Sequence, residues 1–358
     1  MRKVLQVIDS LHLGGAERLL VEVVPILVNK GFEVDVVLLN GENTSFYEDL
    51  NDSKCCNIIS LGRGYYNIGY FYKLYKLIQN YDVIHVHLFP AQYYVSILKM
   101  LSLFDKKTIF TEHSTSNRRL QSSFFRKLEK LIYRNYNTII CITEKVKDSL
   151  LSFNVVRHNK IEVIENGVNI SKVASSIEAD RTEFSYLGSD ILLIMVAGFR
   201  REKDQDTVIR SLSKLPNNYK LLLVGDGERK EILIRLVDEL GLNERVSFLG
   251  VRNDVYSLVK MCNIAILSSH WEGFGLVAVE AMACGIPVIA SNVDGLAQVV
   301  EGGGMLFEKG DINDLVSKVI SLENEELYDQ VNNSCLEKAK NYDINNMVDK
   351  LLSIYKEI

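Results

Sequence analysis

Two carboxylates with seven residues between them, Glu272 and Glu280, stand in the stretch SSHWEGFGLVAVEAMACGIPVIAS at 268–291. The residues around Glu280 are apolar, so LVAVEAMAC predicts a helix buried on all sides. Gly285 stops it, and Pro287 comes soon after. A carboxylate inside such a helix needs partners, because burying a bare charge is costly. The free N–H groups near Leu276 and Val277 can hold a diphosphate. Glu280, more than one turn further in, then lies beside a nucleoside, where it can accept from both hydroxyls of a ribose. Glu272 sits in the loop on the other side of the diphosphate. If a sugar lies there, Glu272 can accept from its hydroxyls. Gly273 and Gly275, on either side of Phe274, let backbone approach the ligand without a Cβ.

Other strand ends carry candidate chemistry. In AGFRREKDQDTVIRSL, Arg200, Arg201 and Lys203 cluster where an anionic ligand would sit. Asp204 and Asp206 invite a metal, but they open a helix, where a cap and a first-turn acid are expected for structural reasons. Gly14 and Gly15, in IDSLHLGGAERLLVEVV, come after the first strand and precede a helix starting near Ala16. VGDGERK at 224–230 looks like a fragment of the dinucleotide fingerprint, but Lys230 replaces its third glycine, so a turn near a nucleotide is the better reading. His85 and His87 lie two apart on one strand face, and with His113 they pose the question of a metal site. No carboxylate or cysteine falls at ligand spacing nearby. His113 ends its own strand and can act as a neutral hydrogen-bonding group.

The elements that must position these residues repeat a rhythm. Strands are predicted at 3–8, 34–39, 57–60, 82–87, 107–111, 138–142 and 161–164, and again at 191–196, 220–224, 245–249, 263–267 and 287–290. Helical patterns separate them, which predicts parallel sheets with helices on both faces. The chain has 358 residues, enough for two domains. The polar stretch 171–190 reads as the linker. The expected division is 1–170, 171–340 and a final helix within 341–358. Ligands of such sheets bind beyond the carboxyl ends of the strands, and with two domains the cleft between them is the expected site.

Composition narrows the class. Hydrophobic and charged fractions of 47% and 24% are those of an ordinary globular protein. A net charge of −5 offers no global reason to expect nucleic acid. Residues 1–170 carry 21 Lys and Arg against 17 Asp and Glu, whereas 171–358 carry 20 against 29. The first half is the one expected to meet an anionic surface. The six cysteines form no C-x-x-C pair and read as buried free thiols. MRKVLQVIDS is broken by Gln6 and Asp9, so it reads as a strand and not a leader. No apolar run approaches the roughly 18 residues of a membrane span. A cytoplasmic protein, peripheral on the inner face of the membrane, is the expectation.

The stretch 268–291 resembles the E-x7-E signature of the retaining GT-B glycosyltransferases of family 4, the group 1 type. GGAERLL, VIENGVN at 163–169 and VGDGE resemble the family's glycine loop, domain junction and second-domain turn. The resemblance implies two Rossmann-like domains facing across a cleft, the first for the acceptor and the second for the nucleotide sugar. The final helix in this fold often crosses back to the first domain. Glu280 would bind the donor ribose and Glu272 the donor sugar. Backbone of Gly273, Phe274, Gly275, Leu276 and Val277 would hold sugar and phosphate. Lys203 would neutralise the diphosphate, Gly14 and Gly15 would lie near it and the acceptor, and His113 near the reaction centre. Many members carry Arg five residues before the Lys. Here that position is Gly198, and Arg200 is the candidate to supply the charge.

The implied reaction moves a sugar from a nucleoside diphosphate sugar, by family frequency a UDP-sugar, to an acceptor hydroxyl with retention. The implied acceptor is a glycan or lipid-linked intermediate of a capsule, O-antigen or other surface polysaccharide. No cofactor and no metal is expected. A nucleotide-sugar epimerase, a His-based metal hydrolase and a non-catalytic nucleotide-sugar binder are the competing readings. RRLQSSFFRKLEKLIYR at 118–134, with six basic residues and one Glu, is the expected contact with an anionic membrane. As a helix from Ser123 it sets Phe124, Phe125, Leu128, Leu131 and Ile132 on one side. Arg126, Lys130 and Arg134 fall on the other, with Lys127 beside them.

Overall fold

The computed structural model describes residues 2–114, 118–184 and 186–357, with the side chain of Arg118 outside the description. The chain divides into two compact units, Met1–Gly167 with Ile344–Ile358, and Val168–Asp343. The first holds strands β1 (Lys3–Ile8), β2 (Glu33–Leu38), β3 (Ile58–Ser60), β4 (Val83–His87), β5 (Lys107–Glu112), β6 (Thr138–Cys141) and β7 (Ile161–Val163). They form one sheet in the order β3-β2-β1-β4-β5-β6-β7, every pairing parallel. The second holds β8 (Ile191–Val196), β9 (Tyr219–Val224), β10 (Val246–Gly250), β11 (Ile264–Leu267), β12 (Val288–Ser291) and β13 (Met305–Phe307). Their order is β10-β9-β8-β11-β12-β13, again parallel throughout.

Parallel neighbours need crossover connections, which cover both faces and explain the near-continuous apolar strands. Leu192, Leu193, Ile194 and Met195 of β8 and Leu221, Leu222 and Leu223 of β9 are all buried. Each strand predicted from the sequence is present, its ends shifted by no more than one residue. The short β13, inside GGGMLFEKG, has too few residues for a period to show.

In each sheet the strand order reverses once. β1 lies beside β4, and β8 beside β11, although neither pair is consecutive. Loops leaving such neighbours diverge to opposite faces and open a crevice at the carboxyl ends.

The stretch 171–190 is not a free linker. Its first residues belong to the helix Ile170–Ser175, which buries Val173. Lys260 Nζ donates to the carbonyl oxygens of Ala174 and Ser176, at 3.2 and 2.7 Å. Arg181 donates to the carbonyl oxygen of Met261. Polar composition here marks a segment laid over the second unit.

The helix Ile344–Lys356 packs into the first unit, burying Ile344, Val348, Leu351, Leu352, Ile354 and Tyr355. Lys30 pairs with its Asp349 at 2.6 Å, and Lys107 Nζ donates to Ile354 O at 2.6 Å. All six cysteines are free thiols; Cys141, Cys262 and Cys335 are buried, and Cys55, Cys56 and Cys284 half-buried. No described helix is long and apolar enough to cross a membrane.

Candidate active site

The second unit builds its site from the loops after β8 and β11. β8 runs into Ala197–Arg200, one turn of 3-10 helix at Arg201–Lys203, and the helix Gln205–Leu212. β11 ends at Leu267, and the loop 268–275 leads into the helix Leu276–Ala283. Side chains and backbone stitch the two loops together. Ser268 Oγ donates to Asp204 O at 2.7 Å, and His270 N donates to Glu202 O at 2.7 Å. Ser291 Oγ, at the end of β12, donates to Ser269 O at 2.6 Å. These ties bring Lys203 Nζ onto Glu272 Oε1 as a largely buried ion pair. Ser269 Oγ donates to the same carboxylate oxygen at 2.9 Å. Lys203 and Glu272 are separate candidates in the sequence; their direct contact comes from the neighbouring positions of β8 and β11.

Gly275 is the N-cap of the helix Leu276–Ala283 and has a φ of +85°, the left-handed region. A Cβ there would also lie 2.6 Å from Leu296 Cδ1. The sharp turn aims the first N–H groups of Leu276 and Val277 out of the helix. Phe274 turns its ring inward, edge-on to Tyr342 at 5.4 Å, leaving its backbone to the loop surface. Glu280 is buried among Ala278, Val279, Ala281 and Met282, with Tyr256 Oη 3.4 Å from Oε1. Gly295 closes the loop from the far side, where a Cβ would run into the carbonyl oxygens of Glu272 and Gly273. Ser269, Tyr256 and Gly295 went unread in the sequence. Their types carry no local signal, because the contacts span 3 to 24 residues and several elements.

Asp204 stands at the N-cap position of the helix Gln205–Leu212 without a side-chain bond to a backbone N–H there, and Asp206, in the first turn, reaches across to another loop. Asp204, in the left-handed region at φ +49°, accepts from Thr207 Oγ1 at 2.7 Å. Burial holds its carboxyl above the ordinary range. Asp206 takes a bidentate bridge from Arg229 at 2.7 and 2.9 Å. VGDGERK packs on the AGFR loop, since a Cβ at Gly227 would fall 2.6 Å from Phe199 O. Its glycines serve loop-on-loop contact, and Lys230 opens the helix Lys230–Glu239. Arg200 is exposed, and a Cβ built at Gly198 would lie 3.7 Å from its Nε, in ordinary contact.

In the first unit, Gly14 caps the helix Gly15–Asn29 with extended backbone that any residue adopts. The space a Cβ at Gly14 would take is filled by the Glu17 carboxylate. Asp9, at the end of β1, accepts from Ala91 N at 2.9 Å, and burial raises its carboxyl to about 7. His85 and His87 spend their ring nitrogens on hydrogen bonds. His85 meets Tyr355 Oη at 2.6 Å and Thr111 Oγ1 at 2.7 Å, and His87 meets Gln6 Oε1 at 2.9 Å and His113 Nε2 at 3.3 Å. Among the described residues no group of three or more His, Cys, Asp or Glu is placed to share an ion.

Residues 13–172 match the model of Glycosyltransferase Family 4, and residues 176–342 that of glycosyl transferases group 1. The Escherichia coli UDP-Gal:α-D-GlcNAc-diphosphoundecaprenol α-1,3-galactosyltransferase is 25% identical over 96% of this chain and 94% of its own. N-acetyl-α-D-glucosaminyl L-malate synthase of Bacillus anthracis is 32% identical over 70% of this chain and 68% of its own. The crystal structure of Anabaena HepE in complex with UDP and glucose has a TM-score of 0.88 to this chain at 20% identity, covering 100% of both. Two parallel Rossmann-like sheets, and a helix opening at a loop that pairs a lysine with the first of two spaced glutamates, agree with these matches: the chain belongs to the group 1 glycosyltransferases of family 4, with the GT-B fold.

Proposed function

We propose that this glycosyltransferase moves a sugar from a UDP-sugar to a hydroxyl of a lipid-linked glycan, with retention and without a metal, in surface polysaccharide assembly. The observation that carries the reading is the arrangement at one helix end in the second unit. The Lys203–Glu272 pair stands in the loop before the helix Leu276–Ala283, and Glu280 lies inside it. Glu280 takes the ribose and Glu272 the sugar. The N–H groups of Leu276 and Val277, with backbone of Gly273, Phe274 and Gly275, take the diphosphate and the sugar next to it. The UDP in the HepE complex and in the name of the Escherichia coli relative supports the choice of base. The diphosphoundecaprenol in that name supports a lipid-linked acceptor.

Charge dictates the chemistry. The bond from the anomeric carbon to the diphosphate oxygen breaks, and the departing diphosphate gains negative charge. Lys203, Arg200 and the helix N-terminus stabilise that charge without a metal. The acceptor oxygen forms its bond on the face the diphosphate leaves, and its proton passes to a phosphate oxygen of the leaving group. The protein's share is positioning and electrostatics. Gly14 and Gly15 serve the diphosphate and the acceptor, and His113 serves the donor sugar.

The first unit also carries the surface for the lipid-linked acceptor. The helix Ser123–Arg134 buries Glu129, Ile132 and Tyr133. This differs from the expected faces, because Glu129, the one acid of 118–134, turns inward to Arg119 Nε at 2.5 Å and Tyr93 Oη at 2.7 Å. Phe124 (71% exposed) and Leu131 therefore share the outer face with Lys127, Lys130 and Arg134. Arg126 is withdrawn, donating to Leu120 O and lying 5.0 Å from the Phe153 ring. Mixed apolar and basic exposure supports docking on an anionic membrane, each cation contributing about 1 kcal/mol. Tyr66, Ile68 and Tyr72 are exposed elsewhere in the same unit.

Glu280→Gln is expected to weaken UDP binding by roughly 10- to 100-fold in calorimetry, the cost of a hydrogen bond to a charged group. Glu272→Ala should spare UDP binding and abolish sugar transfer, with wild-type transfer persisting in EDTA. Equal loss of UDP affinity in both variants, or activity that needs added Mn²⁺ or Mg²⁺, overturns the assignment. Epimerisation of the donor without acceptor would make the protein an epimerase.

Arg200→Ala should cut kcat by roughly 100-fold through the loss of leaving-group charge stabilisation. Gly198→Arg in that background should restore most of it, since a Cβ at 198 meets only ordinary van der Waals contacts. No rescue with intact folding means Arg200 does not stand in for a cation at 198.

Replacing Lys127, Lys130 and Arg134 by Gln should reduce cosedimentation with anionic liposomes at low salt, leaving donor hydrolysis intact. Wild-type protein that ignores such liposomes removes the membrane assignment.

A further inference from the structure

A polar thread crosses the core of the first unit, and the transfer chemistry makes no use of most of it. Gln6 interrupts the apolar β1 and is 1% exposed. Its Nε2 donates to Tyr355 Oη at 3.0 Å, on the final helix. Tyr355 Oη meets His85 Nδ1, and His85 Nε2 meets Thr111 Oγ1 on β5. On the other side, Gln6 Oε1 meets His87 Nε2, and His87 Nδ1 meets His113 Nε2. Six side chains thus form one connected line from Thr111 to His113.

The line has a direction. An amide nitrogen only donates and an amide oxygen only accepts. Gln6 donates to Tyr355, so the single phenolic proton goes to His85 Nδ1. A neutral His85 then carries its proton on Nε2 and gives it to Thr111. Gln6 Oε1 must receive, so His87 carries its proton on Nε2 and offers the lone pair of Nδ1. His113 fills that position by donating from Nε2. The rings must be neutral for this, and burial lowers His85 to about 3, His113 to about 4 and His87 well below its ordinary value. The far end agrees. Thr111 still has a proton to give, and Asn166 Oδ1 is buried in the same small cavity without a hydrogen-bond partner among the described residues. A cavity of about 20 Å³ has room for one bridging water.

We propose that this chain holds His113 in the Nε2–H tautomer and presents its Nδ1 lone pair to a hydroxyl of the bound sugar or acceptor, with Gln6 and Tyr355 as positioning residues. The inference rests on the reading of His113 as a substrate-facing group. It ties the reaction centre to the final helix, because the phenol at residue 355 holds the Gln6 amide whose orientation sets the polarity of the line to residue 113. The hydrogen bond an imidazole makes at one nitrogen decides which nitrogen carries its proton.

The test is the tautomer itself, read from ring 15N shifts in uniformly 15N-histidine-labelled full-length protein. Wild type should show His113 protonated at Nε2 and bare at Nδ1, unchanged from pH 8 to 5. Tyr355→Phe and Gln6→Met should each give mixed tautomers at His113. In both, kcat should fall roughly tenfold while donor KM changes less than about twofold, the pattern of lost positioning. A wild-type His113 protonated at Nδ1 overturns the proposal without any variant. Variants that lose kcat with an unchanged His113 tautomer, or change the tautomer with no loss of kcat, overturn it too. If tautomer and kcat both track the variants, the chain stands. If the tautomer is as stated but His113→Ala transfers sugar at the wild-type rate, the substrate-facing role of His113 falls, and the chain remains as what sets the ring.

Discussion

A parallel sheet cannot connect neighbouring strands by tight turns, so its chain must cross over and return, and once in each sheet the order of strands reverses. In the second unit the reversal lies between β8 and β11. Their loops leave side by side and go opposite ways. Lys203 comes from one loop and Glu272 from the other, 69 residues apart in sequence. The stitched loops, the left-handed Gly275 and the helix aimed at the crevice all depend on those two strands being neighbours.

The loops are held by bonds that contribute little individually and much to position. A net hydrogen bond is worth about 1 kcal/mol. Ser268 to Asp204 O, His270 N to Glu202 O and Ser291 to Ser269 O together leave the loop few alternatives. The ion pair they create is a weak source of stability, since removing two charges from water costs about what their attraction returns. Its value is placement. A lysine and a carboxylate are kept in contact at the end of the sheet.

The first unit solves a different problem. Its sheet is apolar, yet Gln6, His85, His87 and Thr111 are buried in it. Buried polar groups are tolerated when bonded to each other, and such a network specifies one arrangement. The final helix completes it with Tyr355, so the last residues of the chain act as part of the first strand's surroundings. Glu129 has a comparable effect at the surface. Bound to Arg119 and Tyr93, it turns a helix so that its basic and apolar side chains face outward together.

Strand positions, their parallel arrangement and the buried helix around Glu280 were legible in the sequence. Each depends on local period and composition, and an apolar run between helical patterns has few other solutions. Glu280 stood out as a candidate because a charge inside an apolar pattern is conspicuous, and Lys203 because cations cluster at the end of its strand. Other features were decided only by tertiary structure. The Lys203–Glu272 contact depends on strand order, which no local pattern encodes. The outward face of Ser123–Arg134 depends on which residue finds a buried partner: the sequence pattern set Phe124 and Leu131 on the side opposite the basic residues, and the burial of Glu129 brings them onto one outer face. Gln6 read only as a break in a strand. Its partners lie 81 and 349 residues away, on β4 and the final helix, and the hydrogen bonds that give it meaning exist only once those elements pack.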